Sequence, residues 1–429
     1  MNVSSMSHRL IVVDILKTFD TLTSRVRSPI PSRFHAATPV AAPAPGGCST
    51  RDLIDSKLRV CIIGSVKGGR MNADILVRNV RRLRLARRPS QPDLAQQAGL
   101  SLASIKNIEL GRGKPRVSTL QEIARALEVR PQDLFQPVRE LKTVRFRSSK
   151  RMRNRGNILA EVSRWLDDFT FLEKALDDRV PFVLGDVRRR CSRMKPAAAA
   201  AECRIKLGLK PTEPIYDICG LLEHASVKVY LLSVASDSFF GLSVGEQDGG
   251  PAVIANVWTR ILVERRIFSA VHELGHLMLH PEAYDVARTT EDKVEEHEAN
   301  VFAAHFMLPD DGFRKEWDDV AGLHLVQRVF KVKRIFNVSY KTVLKRLVED
   351  GIADNSISPR FNSEYRRFSG QTIPYREEPA GIVSAEPFGL RDIDFHEDRF
   401  SRLVRRAIDD EKISISRGAE VFRIGVEEM

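Results

Sequence analysis

Apolar positions along the chain recur mostly at helical spacing, interrupted once by strand-like alternation. Leu76, Val80 and Leu83, four and three apart, predict a first helix. Ser90 is placed to cap a second at Gln91 to Gln97, with Leu94 and Ala95 facing inward. Gly99 turns the chain, and Ser101 caps a third helix that holds Ile105 and Ile108 and ends at Gly111. Val117 to Leu127 and a last turn at Pro131 to Phe135 complete this group. Leu159, Val162, Trp165, Leu166 and Phe169 predict an amphipathic helix over Ile158 to Leu176, and the alanine-rich stretch from Pro196 to Leu207 favours helix intrinsically. Val227 to Leu232, Phe239 to Val244 and Ala252 to Asn256, separated by the turn-rich Gly245 to Pro251, predict a small antiparallel sheet. Helical periods then resume. One is an apolar run through Leu279 that Pro281 ends, and the next is capped by Thr289 or Thr290. Others cover Leu323 to Val332, Tyr340 to Glu349 and Phe400 to Asp410. Ile413 to Val421 has no clear structure. Before Met71 the pattern is poor, with one short helix at Leu10 to Leu22 and a linker-like stretch at Ala37 to Gly47.

The expected architecture is α+β and mostly helical. Residues 1–70 are expected to form a disordered extension, 71–137 a five-helix domain and 138–157 a basic linker. Residues 158–352 are expected to form a second domain with a small β-sheet, and 353–429 a C-terminal extension with short helices. A chain of 429 residues is long enough for such an arrangement. No apolar run approaches the ~20 residues of a membrane span, so no membrane role is expected. The five cysteines are scattered and none forms a C-x-x-C pair, so neither a thiolate zinc site nor a disulfide framework is suggested, which fits the cytoplasm. Gly64 to Gly69 lacks the Gly-Lys-Ser/Thr ending of a phosphate loop. The net charge of +12 favours an acidic partner such as nucleic acid, and much of it lies in Arg78 to Arg88 and Arg139 to Arg155.

The chemistry is concentrated in Val271-His272-Glu273-Leu274-Gly275-His276. On a helix His272 and His276 share a face and can aim two imidazoles at one metal ion, with Glu273 beside them to handle a water that the ion activates. A zinc peptidase site needs a third protein ligand and an open position. Glu296, Glu298, His280, His297 and His305 are the candidates. His280 lies one turn further along the same helix, where it reaches the ion only with distortion. Thermolysin-like sites carry the third ligand in a Glu-x-x-x-Asp pattern, which Glu296-x-x-x-Asn300 matches with an amide in place of the acid. Asn300 can still accept from a histidine N–H. The match favours Glu296, while helix phase alone leaves Glu298 open.

Ser90-Gln91-x-x-Leu94-Ala95 through Gly99-Leu100-Ser101, then Ile108-Glu109-x-Gly111 and Pro115, closely resembles the Cro/repressor type of helix-turn-helix, the XRE family. The resemblance covers about sixty residues and implies that the third helix enters the major groove of double-stranded DNA. It places Gln91 on phosphate, and Ser101, Leu102, Ala103, Lys106 and Asn107 at base edges or nearby phosphates. Only Lys106 and Asn107 among the last four can read bases by hydrogen bonds, and the arginine-rich flanks would neutralise phosphates. Repressor-type domains often pair, so a homodimer is one expectation.

Arg265-Arg266-x-Phe-x-Ala-x-His-Glu-Leu-Gly-His-Leu-x-Leu-His280, followed by Glu296-x-x-Ala-Asn-x-Phe-Ala and Met307-Leu308-Pro309, resembles the ImmA/IrrE family of metallopeptidases, over roughly residues 195–350. The resemblance implies a zincin-like domain with Zn2+ held by His272, His276 and Glu296, and Glu273 as the general base. It also implies a repressor or antitoxin-like protein as substrate. The leading expectation is a DNA-binding transcriptional regulator carrying a zinc-dependent endopeptidase. The alternative is a transcription factor whose peptidase-like domain senses a ligand or partner and cleaves nothing.

Overall fold

The computed structural model of the chain describes residues 69–87, 89–127, 129–135, 139–148, 155–285, 292–373 and 389–429. The readings for residues 1–68, the cap at Thr289 or Thr290 and three cations of the basic run (Lys150, Arg151 and Arg153) lie outside these residues. The chain divides into two compact units, with boundaries at residue 139 and within the helix that starts at Arg155.

The first unit contains α1 (Gly69–Arg87), α2 (Gln91–Gln97), α3 (Leu102–Glu109), α4 (Val117–Ala126) and a 3-10 turn at Pro131–Leu134. Ser90 caps α2 reciprocally, because its hydroxyl accepts from the Asp93 N–H while its own N–H donates to the Asp93 carboxylate at 2.9 Å. The chain reverses between α2 and α3 at Gly99, whose φ of +64° suits glycine. Ser101 Oγ then accepts from the Ser104 N–H at 3.1 Å and starts α3. Val80, Leu94, Ile105, Ile123, Leu127 and Leu134 are fully buried and make one core. Arg84, expected among the phosphate-neutralising arginines, is instead nearly buried. Its guanidinium grips Glu109 through two hydrogen bonds of 2.6 and 2.9 Å, which joins α1 to the end of α3.

The second unit is built on a four-stranded sheet of β1 (Val144–Ser148), β2 (Lys228–Leu232), β3 (Phe239–Val244) and β4 (Ala252–Asn256), in the order β1-β3-β4-β2. Two expectations are corrected here. The sheet is mixed, because β2 and β4 pair in parallel while β3 is antiparallel to both β4 and β1. The chain reverses from β2 to β3 and again from β3 to β4, and the second reversal returns β4 to the direction of β2. The segment 138–157, read as a basic linker, contains β1. Its Val-Arg-Phe-Arg-Ser sequence alternates as a strand does, and Arg145 pairs in register with Ser243.

Around the sheet lie α5 (Arg155–Ala175), α6 (Gly185–Cys191), α7 (Pro196–Lys206), α8 (Ile218–His224), α9 (Val263–Leu279), α10 (Lys293–Met307), α11 (Asp310–Asp319), α12 (Leu325–Phe336), α13 (Tyr340–Glu349), α14 (Ile357–Ser369), α15 (Arg399–Asp409) and α16 (Ile415–Phe422). Helix α11 has no counterpart among the expected elements. Only Phe313 and Trp317 among its ten residues are large and apolar, and both are buried. The described part of 353–429, expected as an extension, packs into this unit. Phe361 and Phe395 belong to the main core, and the Phe361 ring stacks on Tyr340 at 5.1 Å between centroids. The Leu390 N–H donates to Glu264 at 2.9 Å, Arg399 reaches Glu173 at 3.1 Å, and Arg423 reaches Glu161 at 2.6 Å.

Truncating Phe361 to alanine is therefore expected to destabilise the unit by about 3–5 kcal/mol. Denaturant unfolding measures this, and an unchanged midpoint would place α14 outside the core.

Candidate metal centre

All residues of helix α9 except Arg265 and Phe268 are buried, the polar Glu264, Arg266, Ser269, His272, Glu273 and His276 among them. It packs against β3 and β4 on one side and against α10 on the other. Gly275 allows the second approach, since a Cβ at that position would stand only 3.1 Å from the Phe302 ring. Glu296 and Asn300 are four apart on α10 and share the face turned to α9.

The ring nitrogens and the carboxylate meet there. His272 Nε2 and His276 Nε2 are 2.9 Å apart. Glu296 lies 3.2 Å from each of them, through Oε2 to His272 and Oε1 to His276. His272, His276 and Glu296 form the candidate metal-holding group found among the described residues. Glu298, the open alternative, is turned aside and meets His280 Nε2 at 2.8 Å. His297 is exposed, and His305 is engaged by Asp310 and Arg346, so neither joins the group.

Protonation decides what the group can hold. Burial keeps the His276 imidazole well below its ordinary pKa, against the opposing pull of Glu296. The atoms behind the rings assign the tautomers. Asn300 Oδ1 stands 3.0 Å from His272 Nδ1, and a carbonyl oxygen can only accept, so the His272 proton sits on Nδ1. On the other ring, His276 Nδ1 meets His280 Nδ1 at 3.0 Å. The Glu298 carboxylate takes the N–H of His280 Nε2, which leaves His280 Nδ1 to accept from His276 Nδ1. Two Nε2 lone pairs and an ionised carboxylate thus face one point. Such electron-rich atoms repel one another at these separations unless a cation lies between them, and this donor set suits zinc.

Two further features were not legible from motifs. Arg145 of β1 is buried and donates to Glu295 at 2.5 Å and to Glu296 Oε1 at 3.1 Å. Both carboxylates hold its guanidinium more firmly protonated than usual, against the desolvation of burial. It therefore does not lie ready for phosphate. The second feature is a hydroxyl chain at Glu273. Ser243 Oγ of β3 donates to Glu273 Oε2 at 2.7 Å, and the Tyr284 hydroxyl donates to Ser243 Oγ at 2.9 Å. Glu273, like His272 and His276, has 0 % of its surface exposed.

In the first unit Ser101, Ala103, Lys106 and Asn107 are exposed on α3. Leu102 is half-buried and packs against the core of that unit. The Gln91 amide donates to Glu109 Oε2 at 2.8 Å, so part of its hydrogen-bonding capacity is already used within the unit.

Residues 263–348 match the family described as the IrrE N-terminal-like domain, a peptidase family. Residues 80–134 match the helix-turn-helix family. The IrrE-like match begins with α9 and ends within α13, so it contains all three metal-holding candidates and excludes β1 and the rest of the sheet. Among curated proteins none matches the chain. The chain thus carries a DNA-binding type of domain followed by a metallopeptidase-like one.

Gly241 of β3 lies against both the sheet and the IrrE-like helix. A Cβ there would stand 2.8 Å from the Ile254 carbonyl oxygen and 3.4 Å from Glu273 Cγ. Gly241→Ala is expected to cost roughly 1–3 kcal/mol of stability, as overpacking does. Urea unfolding tests this, and wild-type stability would show that β3 and α9 are not held at this spacing.

Proposed function

We propose that the chain is a DNA-binding transcriptional regulator whose second unit is a zinc-dependent endopeptidase. The observation that carries the proposal is the convergence of the His272 and His276 ring nitrogens and the Glu296 carboxylate, with a separate carboxylate, Glu273, on the same helix as the two rings. His272, His276 and Glu296 hold the zinc, and Asn300 orients His272. Zinc bound there supplies a Lewis acid for an amide carbonyl and makes a water molecule more acidic. The Glu273 carboxylate, steadied at Oε2 by Ser243, takes a proton from the attacking water and delivers it to the departing amine nitrogen. The substrate is a regulatory protein of the repressor or antitoxin-like kind, cleaved in the cytoplasm.

For DNA, α3 lies in the major groove. Lys106 and Asn107 provide the hydrogen bonds to base edges, Ala103 and Leu102 the apolar contacts, and Ser101 and Gln91 stand toward the backbone. Pairing through the repressor-type domain would match a two-fold operator. One observation favours a second reading. His272, Glu273 and His276 are wholly buried, which also suits a domain that senses a partner and cleaves nothing.

Replacing Glu273 with glutamine separates the two. The variant is expected to bind zinc as the wild type does and to lose at least roughly 100-fold in cleavage of a co-expressed target, the usual weight of a general base. Regulation that is unchanged in this variant would refute proteolysis as the function. On the DNA side, the double substitution Lys106→Ala and Asn107→Ala should lower discrimination between operator and unrelated DNA. The expected drop is about 1–3 kcal/mol for each base edge that is no longer read. Operator preference equal to the wild type in a competition assay would remove α3 from the groove.

A further inference from the structure

His280 and Glu298 are rival metal ligands by sequence, and the structure turns both away from the point where the donors meet. What they form instead is a line of hydrogen bonds behind one of the histidines. Glu298 Oε2 lies 2.8 Å from His280 Nε2, and His280 Nδ1 lies 3.0 Å from His276 Nδ1. The two elements that make the centre also make this line, since His280 caps the C-terminal end of α9 and Glu298 stands two residues beyond Glu296 on α10. The His276 and His280 rings are 5.2 Å apart and tilted by 50°, so they meet through their nitrogens and are not stacked.

We infer that His280 and Glu298 are positioning residues for His276, forming a carboxylate–imidazole–imidazole relay that fixes its tautomer and strengthens its Nε2 as a metal ligand. This rests on the metal-centre reading above. A ligating histidine ordinarily gives its second N–H to a carboxylate, a carbonyl or water, which fixes the ring and raises its basicity. At His276 the acceptor is another imidazole, itself polarised by a carboxylate. At His272 the acceptor is the uncharged Asn300 amide. The two ligating rings are therefore supported unequally, with the negative charge behind His276. Without His280, His276 Nδ1 loses its acceptor, the ring is free to rotate or change tautomer, and Nε2 no longer presents a fixed lone pair. Without the Glu298 charge, the His280 tautomer is no longer dictated, and a proton on His280 Nδ1 would oppose the one on His276.

The test is zinc affinity of the full chain, measured by competition with a chromophoric chelator for wild type, His280→Ala, His280→Asn, Glu298→Gln and His272→Ala. His280→Ala is expected to weaken binding about 10–100-fold, the usual effect of removing such a partner. Glu298→Gln is expected to weaken it less, and His280→Asn to restore part of the loss, because its amide oxygen can accept from Nδ1. In cobalt-loaded protein the visible bands should shift in His280→Ala and return toward wild type in His280→Asn. A merely structural role for His280 predicts no such return. Thermal unfolding of the metal-free proteins checks folding. Should His280→Ala fail to fold, Glu298→Gln decides, since its side chain is 40 % exposed. Folded variants that bind zinc as tightly as wild type overturn the relay while leaving the centre intact. Wild-type protein that binds zinc no better than His272→Ala overturns the centre itself, and the relay with it.

Discussion

The second unit depends on the close crossing of α9 and α10. Both rings and the Glu296 carboxylate are groups that water solvates well, and the fold removes His272 and His276 from water completely. That arrangement is tolerable only if each polar atom has a complement. Asn300 and His280 with Glu298 meet the outward-facing ring nitrogens, and Arg145 donates to Glu296 Oε1. The two Nε2 atoms and the Glu296 carboxylate face one another, and their common complement is a cation. The absence of a side chain at Gly275 and the flat face of Phe302 set the spacing at which this arrangement forms.

The parts of this arrangement that are local in sequence could be read directly. Residues four apart on one helix share a face whatever surrounds them, which gave His272 with His276 and Glu296 with Asn300. Serine caps and the glycine turn located α2 and α3 because those signals act within a few residues. The parts that depend on distant partners could not be read. Glu296 and Glu298 lie on one helix; the Glu-x-x-x-Asn match favoured Glu296, and the way α10 rotates against α9 turns Glu298 aside to His280. Arg145 and Arg84 looked like members of basic runs. Arg84 is held by Glu109, 25 residues on, and Arg145 by Glu295 and Glu296, about 150 residues away. The alternation of Val144, Arg145 and Phe146 did carry a strand signal, and the density of arginine around it masked that signal.

Buried charge recurs through the second unit and ties its late segments to its early ones. Lys333 meets Glu264 of α9 at 3.2 Å, and the same carboxylate oxygen accepts from the Leu390 backbone. The buried Arg266 meets the exposed Asp392 at 2.7 Å. Lys228 of β2 and Arg399 of α15 share Glu173 of α5. Pairs of this kind add little net stability over apolar packing, but they strongly penalise any arrangement that leaves one member alone. They therefore fix how the C-terminal helices seat on the unit more than how firmly they hold.

Strand β1 has a consequence for how the two activities can be separated. A fragment cut at residue 158, where the helical pattern reads as the opening of a new domain, would take away the neighbour of β3. It would expose a row of backbone donors and acceptors along that edge, the usual starting point for aggregation. It would also leave Glu295 and Glu296 without the guanidinium between them. The smallest self-sufficient peptidase-like fragment therefore starts before β1, only a few residues after the last turn of the helix-turn-helix unit. Recombination or engineering that exchanges the helix-turn-helix unit must therefore keep β1 with the peptidase-like one.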